Sequence, residues 1–241
     1  MDQTLHRLAE TFAIVTPIAR QRTLSPPLRL LHQGILRHFA RYATAPEPGR
    51  LREWAHQLDI ELDAALGQLV AVDLVEADPS TARLLGAYPF SAIPRGHKVQ
   101  LAGGPTVQAY CAIDAVGIPA MLNRDVAISS RDPDTGEPIS ITVVTGRASW
   151  RPDDTVVVVG TDRSCGASAC SHCPFITFHA SPASAAAHLQ AAALAGEILT
   201  QPQALTAGAL LFGELLRPAV ESATRTSESS DPATGRRRFA G

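Results

Sequence analysis

Cys111 and Asp114 stand three positions apart in the run Tyr110-Cys111-Ala112-Ile113-Asp114-Ala115. Read as the opening of a helix, that spacing sets a thiol and a carboxyl on one face, with Cβ atoms about 5–6 Å apart. Such a pair is an acid–base couple. Burial raises a carboxyl's pKa so that it holds a proton to deliver, while a helix N-terminus lowers that of a thiol. The same two residues also suit a small buried hydrophobe beside a surface acid, and the spacing alone does not separate the readings. A second group lies downstream, Cys165-x4-Cys170-x2-Cys173, with His172 and His179 nearby. Thiols this dense make a trap for soft metals, because thiolate prefers zinc, Cu(I) and heavier thiophiles. The pattern is not a standard structural zinc site, since a second pair of closely spaced cysteines is missing, and Cys170-x2-Cys173 would be at most half of one. Either Cys165 with His172 or His179 completes it, or the thiols stand without a metal, which is the plainer reading of this cluster by itself.

The elements around these residues follow from periodicity. Tyr110 opens a helix expected to run to about Val116, where Gly117 weakens it and Pro119 kinks it or starts a new turn. Residues 155–159 (Thr-Val-Val-Val-Val) and 174–179 read as strands bracketing the cysteine-rich loop. The alternating stretches 125–130 and 139–144, joined by the turn-rich 132–138, predict a β-hairpin. Residues 183–199 and 204–216 are Ala- and Leu-rich and are expected to be helices covering a sheet face. Trp150 and Arg151 read as packing residues, and His97 and His188 as surface or satisfied core positions.

Upstream the texture is helical. Residues 1–24 carry a loose pattern expected of an extension helix. Ser25-Pro26-Pro27 starts a second helix, with serine as N-cap and proline in the first turn. Leu28, Leu31, Ile35, Phe39 and Tyr42 give it an apolar stripe. Two short amphipathic segments follow around a turn at 59–61, and then an extended region. That order predicts a winged-helix-like domain over residues 25–85. Its second helix of the pair, Glu61 to Ala71, bears Glu61 and Asp63 and no Arg or Lys. Acids without bases are wrong for a helix that faces phosphates, so nucleic acid is not an expected partner and a helical cap is the better reading. The expected fold class is therefore α+β: this winged-helix-like part, then a small mixed-sheet domain flanked by helices over 86–218, then a disordered tail over 219–241.

Composition narrows the function classes. Of 241 residues 45% are hydrophobic and 18% charged, which is the make-up of a chain with a real core. A net charge of −2 gives no global attraction to DNA or anionic lipid. The single lysine, Lys98, among 21 basic residues points to compositional bias, because the arginines are mostly scattered. There is no apolar run of about 18 residues, so no membrane span is expected. Asp2, His6, Arg7 and Glu10 interrupt any apolar signal-peptide core, so a reducing cytoplasm is expected and the cysteines read as free thiols. Gly103-Gly104-Pro105 lacks the lysine of a phosphate loop, and no Gly-x-Ser-x-Gly elbow occurs.

Three blocks give the chain a resemblance to the organomercurial (alkylmercury) lyase family. They are Tyr110-Cys111-Ala112-Ile113-Asp114 with Pro119-Ala120-Met121-Leu122; Val126-Ala127-Ile128-Ser129-Ser130 with Asp134-Thr135-Gly136-Glu137-Pro138-Ile139-Ser140-Ile141-Thr142-Val143; and Cys173-Pro174-Phe175-Ile176-Thr177-Phe178-His179-Ala180-Ser181. The resemblance implies a carbon–mercury lyase whose site holds two cysteines and one aspartate. Cys111 matches the first cysteine, Asp114 the aspartate and Cys173 the second cysteine. Cys165 and Cys170 are additional, which keeps Cys170 open as the second thiol and leaves a soft-metal site at the cluster as an alternative. A further family cysteine falls at Asp132. The implied reaction is protonolysis of the carbon–mercury bond to a hydrocarbon and Hg(II), with no organic cofactor and with Hg(II) as bound product. Its partners would be an organomercurial small molecule, cellular thiols and a mercuric reductase. The alternative is a same-fold protein that takes another substrate or holds a soft metal through Cys165, Cys170 and Cys173.

Overall fold

The structure is a computed structural model and describes residues 16–160 and 168–218. Most of the expected extension helix over 1–24, the tail from 219 onward and Cys165 lie outside the described residues. The chain enters through α1 (Pro17–Arg22), whose first turn is capped by the Thr16 hydroxyl accepting from the Ala19 N–H at 3.1 Å. Helix α2 (Pro26–Tyr42) buries Leu28, Leu31, Ile35 and Phe39 of the expected stripe, and Leu36 with them, whereas Tyr42 at its last position is exposed. Ser25 stands at its N-cap position, but the side chain makes no capping hydrogen bond, so the paired prolines do the starting. Helices α3 (Pro48–Gln57) and α4 (Leu62–Ala71) follow. Glu61, expected inside α4, is instead its cap: its carboxylate accepts from the Asp63 and Ala64 N–H groups at 3.0 and 2.6 Å.

The sheet that follows departs from the expected small mixed one. Strands β1 (Val75–Ala77), β2 (Leu84–Ala87), β3 (Phe90–Ser91), β4 (His97–Leu101), β5 (Thr106–Ala109), β6 (Val126–Arg131), β7 (Pro138–Val144) and β8 (Arg147–Arg151) form one eight-stranded sheet in the order β1-β2-β3-β5-β4-β6-β7-β8. Every pairing in it is antiparallel. Most of its strands are joined by connections too short for the crossover that parallel pairing requires. The hairpin predicted at 125–144 is β6–β7, and both strands alternate buried and exposed residues along their length. One face of this hairpin is thus in the core and the other in water, whereas β2 and β3 carry no exposed residue. Trp150 is buried on β8, as expected of a packing residue, whereas Arg151, the last residue of that strand, points to the open side and is exposed.

A second, three-stranded antiparallel sheet has β9 (Val156–Gly160) between β10 (Ile176–His179) and β11 (Gly196–Leu199). Both faces of β9 are covered: Val157 and Val159 join the main core, while Val156 and Val158 pack on Ala185 of α7 (Pro182–Ala191). The stretch 183–199 is therefore not one helix. It leaves α7 through Ala193 in the left-handed region, φ 49°, and ends as β11, which pairs with the free edge of β9. That edge pairing outweighs the helical propensity of the alanines.

Helix α5 (Ala112–Leu122) runs on through Gly117 and Pro119 rather than stopping near Val116. It crosses α8 (Gln201–Phe212), and the crossing is glycine on glycine. A Cβ on Gly208 would lie 2.8 Å from the Gly117 nitrogen, and one on Gly117 would lie 2.4 Å from the Phe212 ring. Gly117 is thus a contact point that lets two backbones approach, not a weak link in the helix. One continuous buried cluster links α2, the eight-stranded sheet, α5 and Leu215 after α8. No helix among the described residues is long and apolar enough to cross a membrane.

Candidate active site

Residue Cys111 is the N-cap of α5, in extended conformation at φ −148°, and its Sγ accepts from the Asp114 N–H at 3.4 Å. The sulfur therefore sits where the first unpaired N–H groups of a helix gather and where negative charge is favoured. Asp114, at the third helical position, is buried at 4% exposure. Cys173 reaches it from elsewhere, opening a 3-10 turn (Cys173–Phe175) that runs into β10. Its Sγ donates to Asp114 Oδ2 at 3.9 Å. The two sulfurs and a carboxylate oxygen all lie within 4.8 Å of one another.

Burial decides the protonation of this group. Desolvation pushes the Asp114 carboxyl up to about 7, against the lowering contacts of Cys111 and Cys173. The same desolvation raises the Cys111 thiol well above its ordinary value, and the neighbouring Cys173 thiol and Asp114 charge add to it. For Cys173 the contact with Cys111 works downward. Burial and the charges of Asp114 and Asp73 outweigh it, so that thiol too is raised. Near neutral pH the site thus holds two thiols beside a carboxyl poised to take or give a proton.

The turn bearing Cys173 is held from behind. Short helix α6 (Ser168–Ser171) precedes it. The Ser168 hydroxyl donates to Asp73 Oδ2 at 2.5 Å, and Arg20 Nη1 pairs with the same oxygen at 2.6 Å. The Tyr88 hydroxyl accepts from the Ala169 N–H at 2.9 Å. Tyr88 packs against Tyr110 with the rings tilted at 43° and their centroids 4.7 Å apart, and the Tyr110 hydroxyl donates to Glu76 Oε2 at 2.6 Å. Arg95 pairs with the same Glu76 oxygen at 3.3 Å and lies over the Tyr110 ring. Asp73, Glu76, Tyr88 and Arg95 escape a sequence reading because their partners are distant in the chain. Only Tyr110, beside Cys111, carried a local signal.

Asp132, where the family resemblance places a cysteine, is fully buried and bonded on both oxygens. Oδ1 accepts from Asp134 and Thr135 N–H, and Oδ2 accepts from the Ala180 N–H at 2.9 Å and the Ser184 hydroxyl at 2.7 Å. Burial works against its charge, yet these donors hold the carboxyl down to about 2. It fastens the β6–β7 turn to the end of β10.

Of the cysteine-rich loop, Cys165 is outside the described residues, and the Cys170 backbone lies in α6. Among the described residues the grouping that contains Cys173 is completed by Cys111 and Asp114, not by His172 or His179.

The alkylmercury lyase family model matches residues 90–213, which spans β3 to β8 of the larger sheet, α5, the 3-10 turn and the three-stranded sheet. An alkylmercury lyase of Staphylococcus epidermidis is 24% identical over 180 residues, which is 74% of this chain and 76% of that protein. The crystal structure of the mercury-bound form of MerB2 superposes with a TM-score of 0.69 at 26% identity, covering 83% of this chain and 96% of that one.

Proposed function

This chain belongs to the alkylmercury lyase family, and from that premise we propose that Cys111, Asp114 and Cys173 together carry out its reaction. The enzyme is a carbon–mercury lyase, splitting an organomercurial into a hydrocarbon and Hg(II). The observation that carries the residue assignment is the buried meeting of two thiols and one carboxyl within 4.8 Å.

Each group then has a task. Mercury is a soft electrophile that prefers thiolate, but burial keeps both thiols protonated. Asp114 as carboxylate takes the proton of the first thiol as its sulfur bonds to mercury and the substrate's anionic ligand departs. The second thiol adds, losing its proton to that departing ligand. Two sulfurs now feed electron density to mercury and make the attached carbon basic. Asp114 returns its proton to that carbon, the carbon–mercury bond breaks with its electron pair on carbon, and R–H leaves. Hg(II) remains on the two sulfurs. A carboxyl at about 7 suits both halves of this relay, because it releases and accepts a proton near neutrality.

Transfer of Hg(II) to cellular thiols, or to a mercuric reductase, in a reducing cytoplasm completes the proposed cycle. Residues 25–85 are read as a winged-helix-like unit packed on the catalytic part at 86–218. The order of α2, α3 and α4 before the antiparallel β1–β2 pair supports that reading.

The test is benzene release from phenylmercury in excess thiol, for the natural protein and Asp114→Ala. Release that is lost in the variant supports the assignment. Full release by the variant, or mercury binding by the natural protein without benzene, overturns it.

A further inference from the structure

We propose that Asp134, His179 and His188 form a second metal site, separate from the two-thiol site, that takes a borderline divalent ion of the zinc or cobalt kind. Three elements bring the ligands together: the β6–β7 turn supplies Asp134, the end of β10 supplies His179, and α7 supplies His188. His188 Nδ1 lies 3.0 Å and His179 Nδ1 3.9 Å from the same Asp134 oxygen, Oδ2. All three donor atoms fall within 4.8 Å of one another, and the imidazole centroids are 4.8 Å apart. Zinc–nitrogen bonds of about 2.0–2.1 Å in a tetrahedral site put ligand atoms roughly 3.3 Å apart, so small side-chain movements close the set.

The surroundings suit a ligand set. His179 Nε2 lies 2.9 Å from Thr177 Oγ1. Nδ1 lies 3.3 Å from Ser184 Oγ, whose own proton goes to Asp132, and faces Asp134 on the same side. Donation of the Nε2 proton to Thr177 is the outer hydrogen bond that would free Nδ1 to exchange the Ser184 contact for an ion. Asp132 stands behind the group, 3.7 Å from His179 Nδ1, and adds negative charge while its own oxygens are engaged by other donors. The site opens on one side only: the His179 side chain is fully buried, His188 is 18% and Asp134 47% exposed. An ion has a way in, and a fourth position is left for water.

Donor chemistry separates this site from the other. Two imidazoles and a carboxylate favour zinc, cobalt, nickel or copper as divalent ions, whereas Hg(II) goes to the thiols. A bound ion would join the β6–β7 turn, β10 and α7 at one point. The competing arrangement is a metal-free hydrogen bond between His188 and Asp134, which the same geometry would also serve.

The experiment titrates Co2+ into the full chain after its thiols have been filled with Hg2+, following the visible d–d bands. The expected result is one equivalent of Co2+ bound with no thiolate charge-transfer band. Zn2+ should displace it and raise the melting temperature. His188→Ala and Asp134→Asn, both at side chains that reach solvent, should each weaken binding by roughly tenfold or more. No Co2+ binding by the natural protein, a thiolate charge-transfer band, or equal binding in both variants overturns the proposal.

Discussion

The carboxylate of Asp114 and the sulfur of Cys173 meet at 3.9 Å although 59 positions separate them in the chain. One sits on the first turn of α5, and the other on a 3-10 turn that leads into β10. Because Cys111 caps the same helix as Asp114, the carboxyl is the hinge of the group: one thiol belongs to its own helix and the other is delivered by the fold. The consequences of that arrangement can be measured.

Asp114→Asn keeps the shape of the side chain and both sulfurs, and removes only the group proposed to move the proton. Turnover of phenylmercury should fall by about 10²–10⁴-fold. The stoichiometry of mercury bound, read by mass spectrometry of the intact protein, should be unchanged. Loss of mercury binding in this variant would mean that Asp114 is needed for capture and not only for proton transfer.

The raised carboxyl also sets a pH dependence. Its folded value of about 7 lies above an unfolded value near 3.8, so the folded state holds the proton more tightly between these limits. Stability contributed by Asp114 is therefore intact below the unfolded value and is lost as pH rises through 7. The loss is at most about 4 kcal/mol. Asp114→Asn should abolish it, so the variant should melt higher than the natural protein at pH 8 and show little difference at pH 4. Turnover should have the opposite slope, rising towards pH 7 as the carboxylate proposed to accept the thiol proton becomes populated.

Asp132 makes a contrasting case. Its carboxyl is held down to about 2 by hydrogen-bond donors, so its stabilisation is present above the unfolded value of 3.8 and is lost as pH falls through 2. Asp132→Ala leaves the Ala180 N–H and the Ser184 hydroxyl without their acceptor. A cost of about 2–4 kcal/mol is expected, measured as a drop in the urea midpoint at pH 7.

Gly117→Ala tests the crossing that seats α5. The added methyl would meet the Phe212 ring at 2.4 Å and the Gly208 carbonyl at 3.0 Å. Overpacking of this kind costs about 1–3 kcal/mol. Because α5 carries both Cys111 and Asp114, kcat should fall with stability even though residue 117 touches neither sulfur. Unchanged kcat in a destabilised variant would mean that the helix start is fixed independently of its middle.

What the sequence made legible follows from how local each signal is. The β6–β7 hairpin could be read because half-buried strands alternate and a turn-rich segment joins them. The Cys111–Asp114 pair could be read because three-residue spacing is a property of one helix. Its partner Cys173 entered through likeness to a family, since no periodicity connects positions 111 and 173. Gly117 and the segment 183–199 misled for one reason. A glycine in a helix and a run of alanines carry weak local preferences, and here a helix crossing and an unpaired strand edge overruled them. The Asp73, Tyr88 and Glu76 contacts lie wholly between distant segments, so only the folded chain displays them.

Cys111 caps α5 while Cys173 begins the turn before β10, so an ion gripped by both sulfurs is also a rivet between remote parts of the chain. It closes a long loop in the unfolded ensemble, as a disulfide would, and so makes unfolding less favourable. The enzyme would be hardest to denature just when it is blocked by its own product. A rival thiol that frees the site would soften the protein in the same act. Thermal shift thus becomes a direct readout of how many molecules are still waiting to be unloaded.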